Sequence, residues 1–351
     1  MRSRSLIVTG VLLALAVAMA ACSGGAAAPS PAARGSGQPA KEASKAATPK
    51  KLDFVYAMAL GATSSSTVFN WMANEVTSRS NGALQMTFHA GTLITKQQEV
   101  IDAIKSGNVA MGSPDAAAPS IVPELNVFMV PYLMRDYDHA YKVFNGEVGK
   151  QLDQLIQEKY GLKVLFYYDY GFRHFWNSKR PINKPDDLKG LKMRVPSGKI
   201  YVDTVNAFGG SAVPMGWNDV IPAVQQGVVD GGDLPVINFY NSKVFDVVKN
   251  MSLTGHNYGP SMVVVNPNVW KSLTPDQQKL MTDLGMEAQK KVRAETESVD
   301  SLQGAKKLLD PTGMQVVAPD LAPFRKIAEE KIWPQYKQEY SQFWDKIVGT
   351  K

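Results

Sequence analysis

The sequence predicts an α/β fold of two domains around a hinge, and three observations carry that prediction. Once an exported and flexible N-terminal stretch is set aside, 301 of the 351 residues remain, too many for one typical core and enough for two. Along them, short apolar strands alternate with amphipathic helices, the pattern of an α/β sheet. Towards the C-terminus one helical tract exceeds ordinary globular length, so it is expected to run across both domains.

The elements follow in order. Residues 1–21 read as a secretory signal, with Arg2 and Arg4 before an apolar run and small residues at the end. Cys22 is the only cysteine, which excludes an intramolecular disulfide and a thiolate metal cluster. In Met19-Ala20-Ala21-Cys22 it stands where a lipobox places its cysteine, so it is the candidate lipidation site. Residues 22–50 are rich in Ala, Pro, Gly, Ser and Lys with no large apolar side chain, a tether rather than a domain. The first series of elements is a strand over 52–58, a helix over 66–79, a strand over 84–89 and a helix over 95–106. That last helix puts Val100, Ile101 and Ile104 on one face and stops at Gly107. A strand over 109–112, two helices between 138 and 160 and a strand over 163–168 complete it. The second series is a strand over 191–195, helices over 200–208 and 218–226, and a strand over 228–231. A strand over 261–266 precedes the long helical tract from Thr274 to about 309, where Thr274, Pro275 and Gln277 supply a capping oxygen, a preset φ and a capping-box partner.

At 44% hydrophobic and 20% charged the chain has the composition of a soluble globular protein. The net charge of +6 invites a nucleic-acid reading, but Arg2 and Arg4 carry two of those charges and the 22–50 tether three, leaving +1 for residues 51–351. No basic block interleaved with aromatics follows, so nucleic acid is excluded as a partner. There is no glycine-rich nucleotide loop, zinc-protease His pair or nucleophile elbow. His89, His139, His174 and His256 lack metal-ligand spacing, and Asp186, Asp187, Asp230 and Asp233 sit in turn-like contexts where a loop role suffices. No metal, cofactor or enzyme is called for. An exported, tethered, two-domain α/β chain without catalytic groups suggests a binding protein that closes on a small molecule.

The stretch from Tyr170 to Lys249 takes this further. It contains Gly171-Phe172-Arg173-His174-Phe175-Trp176-Asn177, Lys179-Arg180-Pro181-Ile182 and Asp187-Leu188-Lys189-Gly190-Leu191-Lys192-Met193-Arg194-Val195-Pro196. Val213-Pro214-Met215, Val224-Gln225-Gln226-Gly227-Val228-Val229-Asp230-Gly231 and Lys243-Val244-Phe245-Asp246-Val247 follow. These runs resemble the solute-binding component of tripartite ATP-independent periplasmic (TRAP) transporters, and the overall pattern extends over about 51–345. The resemblance implies an α/β, two-domain, periplasmic-binding-protein-like (type II) fold with a hinge and a long helix spanning both domains. Domain I is then expected over 51–170 plus 260–300 and domain II over 171–259 plus 301–351. It also implies an organic acid bound in the cleft and delivered to TRAP membrane permease subunits; with Cys22 as the anchor, the protein is expected to be extracytoplasmic, lipid-anchored and a monomer. A ligand-binding sensor subunit, or a cleft enzyme acting on organic acids, are the alternatives.

The same resemblance assigns candidate ligand-binding residues. Arg194 matches the arginine that holds the ligand carboxylate, a role suited to a guanidinium because its paired N–H donors match carboxylate geometry. By strand alternation alone Arg194 falls on a face with Lys192, which favours a merely solvated arginine, and it is the motif that reverses this. Arg173 matches a second arginine, and Trp217 an aromatic wall. Alternation puts Arg173, Phe175 and Asn177 on one face, with Trp176 towards the core. Asp115 matches an occasional acidic position, and Met215 completes the set. Leu234 and Leu60 stand where sialic-acid-binding relatives carry polar groups, so a monocarboxylate with a compact apolar or aromatic body is expected over a sugar acid or dicarboxylate.

Overall fold

The computed structural model describes residues 48–351; the signal segment, Cys22 and the tether up to residue 47 lie outside the described residues. Nine strands are present among the described residues: β1 (Lys50–Tyr56), β2 (Leu84–Ala90), β3 (Met111–Ser113), β4 (Lys163–Asn177), β5 (Lys192–Val195), β6 (Ser211–Pro214), β7 (Gly231–Leu234), β8 (Asn250–Val265) and β9 (Gln315–Val317). They form one sheet in the order β2-β1-β3-β8-β4-β7-β5-β6, with β9 against β8. The neighbours of β1 run parallel to it, and so do those of β5. Parallel neighbours need helical crossovers, supplied by the helices Ser64–Arg79 and Gln97–Lys105 on one side and Lys199–Ala207 and Val220–Gln225 on the other. Each parallel group with its helices is one half of the molecule.

The two halves share β4 and β8, which pair antiparallel from Lys163 with Val265 to Asn177 with Asn250. Sequence periodicity marks only 163–168 and 261–266 of these strands. Beyond them the residues read as Asp169, Gly171, Arg173 and His174 against Thr254, Gly255, His256 and Asn257, whose polar groups show no apolar alternation and yet are buried at nearly every position. Between Asp169 and Gly171 the register shifts, and Gly171 has φ +119°. A Cβ there would lie 2.7 Å from Thr296 Cγ2 and 2.8 Å from Pro235 Cβ, so only glycine fits where one half passes into the other.

The long helix runs from Pro275 to Asp300. Its start is as expected: Thr274 Oγ1 accepts from Gln277 N at 3.3 Å, and Gln277 Oε1 accepts from Thr274 N at 3.0 Å. Its end is not. Ser301 is extended, and its Oγ accepts from Gly304 N at 3.0 Å, opening a separate helix over Leu302–Leu309. The expected single tract is therefore two helices, because a serine N-cap competes with continuation. The first of them touches both halves, ion-pairing Glu287 to Arg79 at 2.8 Å and packing on the helix Val236–Asn241.

Two boundary shifts affect the site. β7 begins at Gly231, three residues later than the expected strand, which places Asp233 and Leu234 inside the sheet. Lys50, expected in the tether, already pairs with Leu84 in β1 and β2. The C-terminal helices bring Phe324, Tyr336 and Trp344 into one buried cluster with Phe144 and Leu152 of the helices Tyr137–Asn145 and Glu147–Tyr160. Among the described residues no helix is long and apolar enough to cross a membrane.

Candidate functional site

A cavity of about 310 Å³ opens between the halves, at the small end of ligand sites. In α/β sheets ligands meet the carboxyl ends of strands, and this cavity follows that rule. Met58 and Thr63 follow β1, Asp115 follows β3, Arg194 lies near the end of β5, Met215 follows β6 and Leu234 ends β7. Tyr170 and Arg173 contribute from the crossover portion of β4.

The two arginines are in different electrostatic states. Arg173 is 1% exposed and ion-paired: Nε donates to Asp233 Oδ2 at 2.8 Å, and Nη2 to Asp233 Oδ1 at 2.7 Å and to the Asp233 carbonyl at 2.6 Å. Burial alone would raise the Asp233 carboxyl, but the Arg173 charge and hydrogen bonds outweigh it and hold that carboxyl well below the usual range. His256 Nε2 lies 3.2 Å from Asp233 Oδ2, and its Nδ1 lies 2.8 Å from Thr254 Oγ1. Burial lowers the His256 pKa more than Asp233 raises it, so this ring is neutral and the Arg173–Asp233 pair carries no net charge.

Arg194 is 5% exposed, and among the described residues no carboxylate lies within ion-pair distance of it. Its Nε and Nη2 donate to the Met215 carbonyl at 3.2 and 2.9 Å, and its guanidinium lies over the Trp217 ring at 5.4 Å. Burial and then the Arg173 charge push its pKa down to about 10, which still leaves it protonated at neutral pH. A buried cation without a counter-charge is costly. The Nη1 edge remains for an anion.

Asp115 is 1% exposed and held in the left-handed region at φ 51°. Its amide donates to Ser113 Oγ at 3.1 Å, and its carbonyl accepts from Ser261 Oγ at 3.0 Å. The carboxylate accepts from Gln97 Nε2 at 3.1 Å and Tyr168 OH at 3.3 Å, yet burial prevails and raises its pKa to about 6. A non-glycine residue in this conformation persists only where its surroundings hold it, commonly at ligand sites.

Of the expected residues, Arg173, Arg194, Trp217, Asp115, Met215 and Leu234 all line the cavity. Phe175 and Asn177 do not. The Phe175 ring is fully buried, stacked on His256 at 3.9 Å behind the Arg173 network. A register shift between Arg173 and Phe175 breaks the alternation on which its expected placement rested. Asn177 Oδ1 accepts from the Lys179 and Arg180 amides at 2.8 Å each, so it organises the turn after β4. Leu60 is 57% exposed and outside the cavity, where Met58 stands instead. Asp233, expected in a turn, is a buried ion-pair partner. Its glycine neighbours were misleading: Gly232 is there because a Cβ would lie 2.7 Å from Trp176 Cζ2. Tyr170, Thr63, Gln97 and Asn238 also line the cavity and carry no periodicity or motif that singles them out.

A family profile described as bacterial extracellular solute-binding protein, family 7, matches residues 55–339. The 2,3-diketo-L-gulonate-binding periplasmic protein of Escherichia coli is 32% identical over 235 residues, covering 65% of this chain and 71% of that one. Two crystal structures of TRAP periplasmic solute-binding proteins each cover 86% of this chain and 99% of their own, at 29% identity and TM-score 0.78. One is from Bordetella bronchispeptica with density assigned as pantoate, and one from Polaromonas with bound D-erythronate. With a family match over most of its length, the chain belongs to the bacterial extracellular solute-binding proteins of family 7.

Proposed function

We propose that this extracytoplasmic solute-binding protein captures a small carboxylate in the cavity between its halves and hands it to a TRAP membrane permease. The observation that supports it most is Arg194, a buried guanidinium beside a neutralised Arg173–Asp233 pair and without an acid of its own among the described residues. The ligand carboxylate sits end-on against Nη1 and Nη2 of Arg194, opposite the Met215 carbonyl, with Trp217 as a wall. That the relatives compared are a 2,3-diketo-L-gulonate-binding protein, one bound to D-erythronate and one with density assigned as pantoate, all small organic acids, agrees with this reading. The cavity's polar lining, with Thr63, Gln97, Asp115, Tyr170 and Asn238, weighs against a ligand body that is wholly apolar.

In this reading the protein is a non-enzymatic monomer. Domain I is 51–170 plus 260–300, and domain II is 171–259 plus 301–351. The two are hinged at the β4 and β8 crossovers, and Cys22 carries the lipid that tethers the core through residues 22–50. Titration calorimetry with small carboxylates and their neutral amides tests the central claim. Carboxylates bind and amides do not; an amide bound as tightly as its acid overturns the assignment.

A further inference from the structure

The arginines account for the ligand's charge, but one polar group of the cavity remains unexplained. Asn238, in the helix Val236–Asn241, is 3% exposed and lines the cavity, and its Oδ1 has no hydrogen-bond partner among the described residues. Burial of an amide oxygen without a partner is unfavourable, and buried polar groups in folded proteins are nearly always paired.

Two other buried polar side chains at the cavity, Asp115 and Thr63, differ in this respect. Both oxygens of Asp115 accept protein hydrogen bonds, from Gln97 and Tyr168. Thr63 Oγ1 is bonded to Tyr56 OH at 3.0 Å and to the Ser66 amide at 3.1 Å. Arg173 donates to Asp233 through Nε and Nη2. Asn238 is thus a buried polar side chain of the cavity wall whose oxygen the described residues leave without a donor. Its helix neighbours Val236 and Phe239 are apolar and fully buried, so an apolar residue would suit the surrounding core as well.

We propose that Asn238 is a specificity-determining residue that reads a hydroxyl on the body of the bound carboxylate, which makes the ligand class short hydroxy acids. The inference rests on the carboxylate reading given above. A hydroxyl suits the site because it donates and accepts at once, and an amide presents both an acceptor and a donor. An acid lacking that hydroxyl leaves Oδ1 unpaired in the complex. Sites built around a hydroxyl reject the deoxy analogue strongly for this reason.

Calorimetry on the purified, ligand-stripped protein tests this with two matched pairs: D-erythronate with butyrate, and pantoate with 3,3-dimethylbutyrate. Wild type is expected to bind the hydroxy acid of at least one pair at least about tenfold more tightly than its deoxy partner. Asn238→Leu is expected to lose at least about tenfold for that hydroxy acid while changing the deoxy acid by less than about twofold. Asn238→Ala, smaller and helix-compatible, is the second variant should the leucine fail to fold, and a circular-dichroism melt of each variant verifies the fold. A variant that keeps the wild-type preference overturns the proposal and leaves the carboxylate reading standing. So does a wild type that binds deoxy and hydroxy acids equally. If neither the four acids nor any member of the wider carboxylate panel binds wild type, the carboxylate reading itself falls, and this proposal with it.

Discussion

Replacing Arg194 tests the site most directly, because its environment sets the size of the effect. The lowering of its pKa from 12.5 to about 10 reports an environment that disfavours the guanidinium by about 3 kcal/mol. A carboxylate end-on at about 4 Å, at an effective dielectric of about 20, returns about 4 kcal/mol. Arg194→Ala should therefore weaken binding by about 2–4 kcal/mol, or roughly 30- to 1000-fold in Kd. Arg194→Lys should recover little of it, because an ammonium that keeps the Met215 carbonyl has no planar pair of donors left for the anion. Calorimetry measures the affinities, and thermal unfolding supplies a second reading. Ligand at 100 times the wild-type Kd adds about 2.7 kcal/mol to wild-type stability, and the same concentration should add less than about 0.9 kcal/mol to Arg194→Ala. A lysine variant within about threefold of wild type would refute the clamp.

Three further outcomes are expected. In the unliganded protein the Asp115 pKa of about 6 lies above its ordinary 3.8 because of burial, so the folded state favours the protonated carboxyl. Stability from this group is complete below about pH 4 and is lost as pH rises through 6. Asp115→Asn should accordingly be more stable than wild type by about 3 kcal/mol at pH 8, with the gain shrinking towards pH 4. Urea titrations that show a constant difference from pH 4 to 8 would contradict this. Gly171→Ala forces φ +119° and two contacts below 3 Å on a residue with a Cβ, and should cost more than about 3 kcal/mol by denaturant midpoint; an unchanged midpoint would remove the argument for a tight crossover. Cys22→Ser should release the protein from the membrane fraction without altering ligand Kd, and a variant that still sediments with membranes would show that the anchor lies elsewhere.

What the sequence by itself determined is the local and the charged. Caps and apolar periodicity located the helix Gln97–Lys105 with Val100, Ile101 and Ile104 buried, and the capping box at Thr274. The motif around Arg194 pointed to the cavity, and the flanking motifs brought Arg173, Trp217, Met215 and Leu234 with it. These signals survive in one dimension because they depend on neighbours three or four residues apart, or on a resemblance carried by contiguous runs. Tertiary structure decided the rest. Strands β4 and β8 extend through polar stretches that satisfy one another only when paired, so no local pattern announces them. Asp233 became the partner of Arg173 rather than a turn residue because residues sixty positions apart meet across β4 and β7. Phe175 left the cavity through a register shift that alternation does not foresee. Asn238 keeps an unpaired oxygen because no donor among the described residues reaches it in the folded chain. Which polar group is left for a ligand is a property of the whole hydrogen-bond network, and that network exists only once the chain is folded.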